Sequence, residues 1–180
     1  MKVTTTALKA ALKKGSEYAY WVFDEKLGKT IIGTRQFFMA LDREQVSSDG
    51  NLRKTLASFG LFQEGSVVRN GHTSTDPNAL PNFSNIAQPV FDSTYGEWAE
   101  KTKIQYKLGN TTTLRLFKTR TQYFVVNEVY ADLIGDLEAI RYGGKCRPVV
   151  TEGLLILPYS CLPAELEEML APIKEEAAHA

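Results

Sequence analysis

The sequence predicts an α+β fold: a mainly antiparallel sheet of about six or seven strands, packed by N-terminal, central and C-terminal helices. Two observations carry this prediction. Short segments rich in aromatic and β-branched residues alternate with turn residues, as strands do. Helical patterns with one apolar stripe stand near both ends and near the centre of the chain. The apolar share of 43 % of 180 residues is enough for a sizeable core.

The N-terminal elements have clear boundaries. Residues 4–14 predict a helix with an apolar stripe, which a threonine caps and Gly15 ends. Residues 18–23 predict a strand, and residues 30–41 predict a second strand in which Gly33 is a candidate bulge. Residues 51–59 predict a helix capped by Asn51.

Aromatic residues are concentrated in these first two strands and occupy both strand parities. They are Tyr18, Tyr20, Trp21, Phe23, Phe37 and Phe38. We expect a core on one face and a second face that is partly covered. Any exposed share of these side chains would form an interface, and a homodimer through the aromatic strands is therefore one alternative.

Residues 63–88 form the weakest segment, because glycine, proline, asparagine and serine dominate it. A loop of this length in a compact domain is usually functional or mobile. The length of the chain predicts a single domain over residues 1–180. A split into two lobes within 63–88 stays open as the alternative.

The C-terminal half continues the sheet. Residues 89–92 predict the start of a strand, and three strands follow at 102–108, 112–119 and 121–127. The next predicted elements are a short helix over 128–134, an interrupted strand signal over 145–157 and a helix from Pro163. The apolar stripe of that last helix consists of Leu166, Met169, Leu170 and Ile173.

The most informative feature is a run of residues without any acid. Between Glu100 and Glu128 there is no aspartate or glutamate, whereas the chain as a whole has a formal net charge of zero. The basic residues of the run are Lys101, Lys103, Lys107, Arg115, Lys118 and Arg120. Net charge therefore excludes a general affinity for nucleic acid or membrane, and any such affinity must come from a local patch.

Hairpin register decides how these charges are arranged, because a slip of one residue moves every side chain to the other face. A three-residue loop of Gly109, Asn110 and Thr111 places Tyr106 opposite Leu114 and Ile104 opposite Leu116. One face is then apolar, and its burial outweighs the preference for a two-residue turn. We therefore predict this odd loop.

With this register the opposite face carries a basic stripe. Its residues are Lys101, Lys103, Lys107 and Arg115, with Phe117 beside them. We expect them to be binding residues, with Phe117 as a stacking surface if the partner is a nucleic acid. An acidic protein surface is the favoured partner over nucleic acid. The alternative without a function is a solvated sheet face, or cations paired with the acidic C-terminal helix of the same chain.

Catalytic motifs are scarce. His72 shares its loop with hydroxyls and a carboxylate, but the loop lacks the rigid arrangement of a triad. Asp92, Glu97 and Glu100 are the residue types that hold Mg²⁺ in nucleases, and they support a metal-dependent nuclease as an alternative. No phosphate-binding glycine motif and no zinc-ligand spacing is present, so we expect neither a cofactor nor a resident metal.

Cys146 and Cys161 are the two cysteines, and they are not spaced as a CxxC motif. We expect two small, buried or half-buried apolar residues, and a bridge between them stays open. The sequence has no signal-peptide pattern and no run of about 18 apolar residues. We expect a cytoplasmic protein without a membrane partner. The sequence thus favours a non-enzymatic binding or accessory protein, with a nuclease and a structural subunit as alternatives.

Overall fold

The computed structural model describes residues 4–79, 88–92, 94–135, 139–145 and 147–178. The described helices are α1 (Thr5–Lys14), α2 (Arg43–Ser48), α3 (Gly50–Ala57), α4 (Gln88–Phe91), α5 (Glu128–Ile134) and α6 (Ala164–Ala178). The described strands are β1 (Tyr18–Asp24), β2 (Lys29–Thr34), β3 (Phe37–Leu41), β4 (Ser66–Arg69), β5 (His72–Ser74), β6 (Glu97–Leu108), β7 (Thr112–Thr119), β8 (Tyr123–Asn127), β9 (Arg141–Tyr142), β10 (Val149–Thr151) and β11 (Leu154–Ile156).

The predicted α+β class with an antiparallel sheet is confirmed. Eleven described strands form one sheet in the order β5-β4-β1-β2-β3-β11-β10-β9-β6-β7-β8, and every recorded pair is antiparallel. The sheet has more strands than the six or seven expected. The additional ones are only two to four residues long, too short for an alternating pattern to stand out.

One face of the sheet, called the first face below, is packed by α1, α3 and α5. The stripe predicted for α1 is buried there, and the Thr4 hydroxyl caps the helix by accepting from the Ala7 N–H. Trp21, Phe37 and Phe117 contribute from the sheet, and Tyr130 contributes from α5. This is the larger hydrophobic cluster of the molecule.

The opposite, second face is covered by two smaller clusters. Around β1 to β3 it buries Tyr18, Tyr20 and Phe38. Around β7 and β8 it buries Leu114, Leu116 and Val125 beneath α6. The six aromatic residues of the first strands are thus divided between the two faces, as expected, and all six are buried or half-buried within the chain.

Helix α6 contacts the sheet through part of its predicted stripe. Leu166 and Leu170 are buried, whereas Met169 is 67 % exposed, so its assignment to the stripe was wrong. Leu166 and Leu170, four residues apart on one side of the helix, pack on Leu114 and Leu116 of the hairpin. The side chain of Ile173 lies outside the described side chains.

The N-terminal half differs from the prediction in three respects. Residues 30–41 form two strands, because the chain turns at 35–36 and β2 then pairs with β3. Helix α2 precedes the central helix and was not predicted. The carboxylate of Asp49 caps α3 by accepting from two backbone N–H groups, so Asn51 lies inside the helix.

The segment 63–88 is more structured than a loop. It contains β4 and β5, which pair with each other. Strand β4 also pairs with β1, the middle strand of the five N-terminal strands. Residues 80–87 lie outside the described residues, and the two-lobe alternative stays untested. The start of a strand predicted at 89–92 was wrong, since α4 ends at Phe91 there. None of the described helices is long and apolar enough to cross a membrane.

Candidate docking surface on strand β6

The β6–β7 hairpin has the predicted register at its tip. Tyr106 pairs with Leu114 and Leu108 pairs with Thr112, which leaves three residues in the loop. The prediction of the odd loop is therefore confirmed. Leu114 and Leu116 consequently lie on the second face beneath α6, away from the face of Lys107 and Arg115.

A bulge in β6 alters the rest of the hairpin. Lys101 pairs with Phe117 and Gln105 pairs with Arg115, so β6 has two more residues than β7 between these pairs. The expected pairing of Ile104 with Leu116 was therefore wrong. Instead, the Thr102 hydroxyl donates to the Leu116 carbonyl, and the Ile104 N–H donates to the Thr102 hydroxyl at 3.1 Å. Because the number of extra residues is even, Lys101 before the bulge and Gln105 after it point to the same face of the sheet.

Arg115 does not belong to a free basic stripe. Its guanidinium binds Glu128 of α5 through two hydrogen bonds, one of them 2.8 Å from Nε to Oε2. Both side chains are largely buried, with 15 % and 18 % exposed. Burial raises the pKa of Glu128, but the hydrogen bonds from Arg115 and Gln105 outweigh that effect and hold its pKa below the ordinary value. Arg115 is therefore a structural residue of the α5 contact.

Lys101 is held by the same helix. Its ammonium donates to the Ala131 carbonyl at 3.2 Å, and the residue is half-buried. Asp132 stands nearby, with its pKa raised by burial and by Glu128 and lowered by Lys101 and Arg115. Two cations and two carboxylates thus offset one another where α5 covers the first face.

Phe117 cannot serve as a stacking surface for a nucleobase, because it is fully buried. It stacks on Phe124, with ring centroids 5.2 Å apart and an angle of 14° between the planes. The expectation of an exposed Phe117 was wrong. Strand parity placed it correctly on the face of Arg115, but α5 covers that face, and the sequence does not show which helix packs on which face.

Lys103 and Lys107 remain exposed and make no ion pair with the described residues. Lys103 stands on the bulge and Lys107 near the tip of the hairpin. Of the predicted binding residues, these two are the cations that face solvent. The exposed basic surface is therefore smaller than the composition of the run suggested.

The outer edge of β6 is open over its basic half. Strand β9 pairs with β6 only at Glu97 and Trp98, and the Ala99 N–H donates to the Ile140 carbonyl at 2.9 Å. From residue 101 to residue 108 no described strand pairs with this edge. An unpaired edge presents a row of free N–H and C=O groups.

The direction of these backbone groups follows from two independent contacts. Ala99 donates toward β9, so alternation points the N–H and C=O of Lys101 toward the same edge. On β7 the Thr119 N–H donates to the Gln122 carbonyl toward β8, so Phe117, Arg115 and Thr113 face β8. Their partners on β6 face the open edge. These partners are Lys101, Gln105 and Lys107.

The three carboxylates of the nuclease alternative do not converge. Glu97 and Glu100 are three residues apart on one strand, so their side chains point to opposite faces. Asp92 accepts from the N–H and hydroxyl of Thr94, and Glu97 accepts from the Thr121 hydroxyl. Those hydrogen bonds lower the pKa of both carboxyls. Within the described residues, no group of three potential ligands is placed to hold a metal ion.

Sequence reasoning missed an exposed tryptophan. Trp98 is 66 % exposed on the second face, where it pairs with Arg141 of β9. Lys118 and Arg120 line the same open depression of about 410 Å³. The sequence did not predict an exposed Trp98, because the segment around it lacks a clear strand pattern. In the structure β6 begins at Glu97, and this places Trp98 beside the two cations.

Two further features differ from expectation or were not expected. Cys161 is exposed, so its assignment as a buried or half-buried apolar residue was wrong, and Cys146 lies outside the described residues. A cavity of about 470 Å³ opens beside Tyr20 and Phe38, with Arg35 and Arg147 among its lining residues. The residues that line this cavity are up to more than a hundred positions apart in the chain, so no local sequence pattern reveals it.

No family model matches this chain, and no curated protein or solved structure is significantly similar to it.

Proposed function

We propose that this protein is a non-enzymatic binding protein that docks an acidic protein surface through the basic half of β6. The observation that carries the proposal is the combination of two exposed lysines, which make no ion pair with a described residue, and a strand edge to which no described strand pairs. Lys103 and Lys107 lie on that half of the strand, and its outer backbone groups have no partner among the described strands.

Charge supports this surface as a site for anions. The bidentate pair of Arg115 with Glu128 is neutral, and Lys101 and Asp132 offset each other. Lys103 and Lys107 therefore carry the excess positive charge of residues 101–108. Such a local excess steers an acidic partner and sets orientation, although the whole chain is neutral.

A protein partner is favoured over nucleic acid at this surface. Binding of single-stranded nucleic acid relies on aromatic side chains that stack on bases. The aromatic residue predicted for that role, Phe117, is inside the core. The exposed side chains that accompany the lysines are Ile104 and Leu108, which suit apolar side chains of a protein.

The test is a titration with poly-L-glutamate as a model acidic polymer. We expect binding that weakens steeply between about 50 mM and about 500 mM salt, because exposed charges are screened over that range. Replacing both Lys103 and Lys107 by alanine should weaken binding roughly tenfold, at up to about 1 kcal/mol for each exposed charge.

The matched control is replacement of Lys9 and Lys13 by alanine. These residues are exposed on α1, and their replacement removes the same charge from a different surface. Their loss should leave the affinity almost unchanged. Equal effects of the two double variants, or no binding of poly-L-glutamate at all, would contradict the proposal.

The Trp98 surface supports a second candidate, the binding of single-stranded nucleic acid. An exposed indole beside Lys118 and Arg120 combines a stacking surface with cations. Trp98→Ala should then abolish the binding of an oligonucleotide and leave the binding of poly-L-glutamate intact. An oligonucleotide affinity that is insensitive to Trp98 would remove this candidate.

The nuclease and assembly alternatives stay hypotheses. Incubation of oligonucleotides with the protein and Mg²⁺ or Mn²⁺ tests the first, and unchanged substrates would remove it. Light scattering at micromolar concentrations tests the second, and a monomer would count against a homodimer through the aromatic strands.

A further inference from the structure

We propose that the partner adds an antiparallel strand to the open edge of β6, and that the added strand alternates acidic and apolar residues. This inference rests on the proposed docking function and specifies its mode and its partner. Extended segments bind to free sheet edges by main-chain hydrogen bonds, while alternate side chains give specificity.

The backbone of β6 supplies the hydrogen bonds. Lys101, Gln105 and Lys107 direct their N–H and C=O groups to the open edge, on both sides of the bulge. The strand is twelve residues long, about twice the usual length, and its last eight residues extend beyond its pairing with β9. The recorded strand pairs of this sheet are antiparallel, so an antiparallel addition continues the existing pattern.

The two faces of β6 specify the side chains. An antiparallel residue whose backbone bonds to β6 directs its side chain to the same face as its partner. Residues bonded to Lys101, Gln105 and Lys107 therefore direct their side chains to the first face. The exposed cation there is Lys107, because Lys101 is held by α5 and Arg115 is paired with Glu128, so glutamate or aspartate suits the position beside Lys107. The intervening residues meet Tyr106 and Leu108 on the second face, which suits apolar side chains.

A second copy of the same edge is a poor occupant. Two antiparallel copies of β6 would bring lysines close to lysines, and like charges opposite each other destabilise a strand pair. Lysines on an edge strand are a common device against such self-association. The charges of β6 thus select an acidic strand and disfavour its own copy.

The test uses an eight-residue peptide of alternating glutamate and valine with blocked termini. Wild-type protein should bind it, and Gln105→Pro should bind it about tenfold more weakly than Gln105→Ala. Proline removes the N–H that faces the open edge, whereas the ladder to β7 does not use that group. Both variants lose the hydrogen bond from the Gln105 amide to Glu128, so their difference reports the backbone.

A second measurement does not depend on how well the proline variant folds. Wild-type protein is titrated with two forms of the peptide, N-methylated at every glutamate or at every valine. The glutamate-methylated form should lose at least about tenfold in affinity, because its methyl groups replace the hydrogens that bond to β6. The valine-methylated form should bind like the unmodified peptide.

The outcomes separate this inference from the proposed function. Salt-dependent binding that is equal for both methylated peptides and for both Gln105 variants would overturn strand addition and leave electrostatic docking in place. Absence of any binding to the unmodified peptide and to poly-L-glutamate would overturn both. A dimer in which the N–H groups of Gln105 and Lys107 are protected from exchange without peptide would show that a second copy occupies the edge, and would contradict the inference.

Discussion

At the scale of single residues, burial divides the basic run into structural and exposed positions. Arg115 and Lys101 anchor α5, Phe117 fills the core, and Lys103 and Lys107 face solvent. The sequence placed Lys107, Arg115 and Phe117 on a common face by parity alone. It did not indicate that α5 covers most of that face. Arg115 pairs there with Glu128, the first acid after the run and the first residue of α5.

Phe117 provides the sharpest prediction at this scale. Phe117→Ala should destabilise the protein by about 3–5 kcal/mol, because it removes a fully buried ring that stacks on Phe124. Lys107→Ala should change the free energy of unfolding by less than about 0.5 kcal/mol, since the side chain is exposed. Denaturant unfolding followed by circular dichroism measures both. A change below about 1 kcal/mol for Phe117→Ala would contradict its place in the core.

At the scale of elements, alternation predicted the sheet hairpin well and the short strands poorly. The odd loop followed from burying Leu114 and Leu116 on one face, and the structure confirms it. The bulge was not predictable, because a run of lysines and polar residues reads as regular alternation. Elements of two or three residues such as β9 and β10 depend on tertiary pairing, which leaves little trace in local sequence.

The lysines of β6 lead to a prediction about association. If they protect the open edge, replacing Lys103 and Lys107 by threonine should promote dimers, because threonine favours strands and removes the repulsion. Light scattering across micromolar concentrations should show a greater mass for this variant than for the wild type. The control is Lys118→Thr with Arg120→Thr, which removes two charges from a surface away from that edge. Identical masses for the two variants would contradict the protective role.

At the scale of the whole molecule, the distribution of charge matters more than its sum. The chain is neutral, yet residues 101–127 contain six basic residues and no acid. The fold places α5 and the acidic first turn of α6 against the hairpin that carries this run. Acids from later in the sequence therefore lie beside the run, with Glu128 bound to Arg115 and Glu165 bound to Tyr106. No described strand pairs with the outer edge of β6 from residue 101 to residue 108.

The α+β class and the position of the candidate surface could both be predicted from the sequence, since they depend on local patterns. The division between paired and free cations could not, because it depends on contacts between β7 and α5. The same limit applies to Trp98, whose neighbours come from β7 and β9.

Amide hydrogen exchange, followed residue by residue over the whole molecule, tests the docking edge most directly. In the free protein the N–H groups of Gln105 and Lys107 should exchange rapidly, whereas those of Tyr106 and Leu108, which face β7, should be protected. On addition of the alternating glutamate and valine peptide, Gln105 and Lys107 should become protected. Binding of the peptide without added protection at Gln105 and Lys107 would contradict the account.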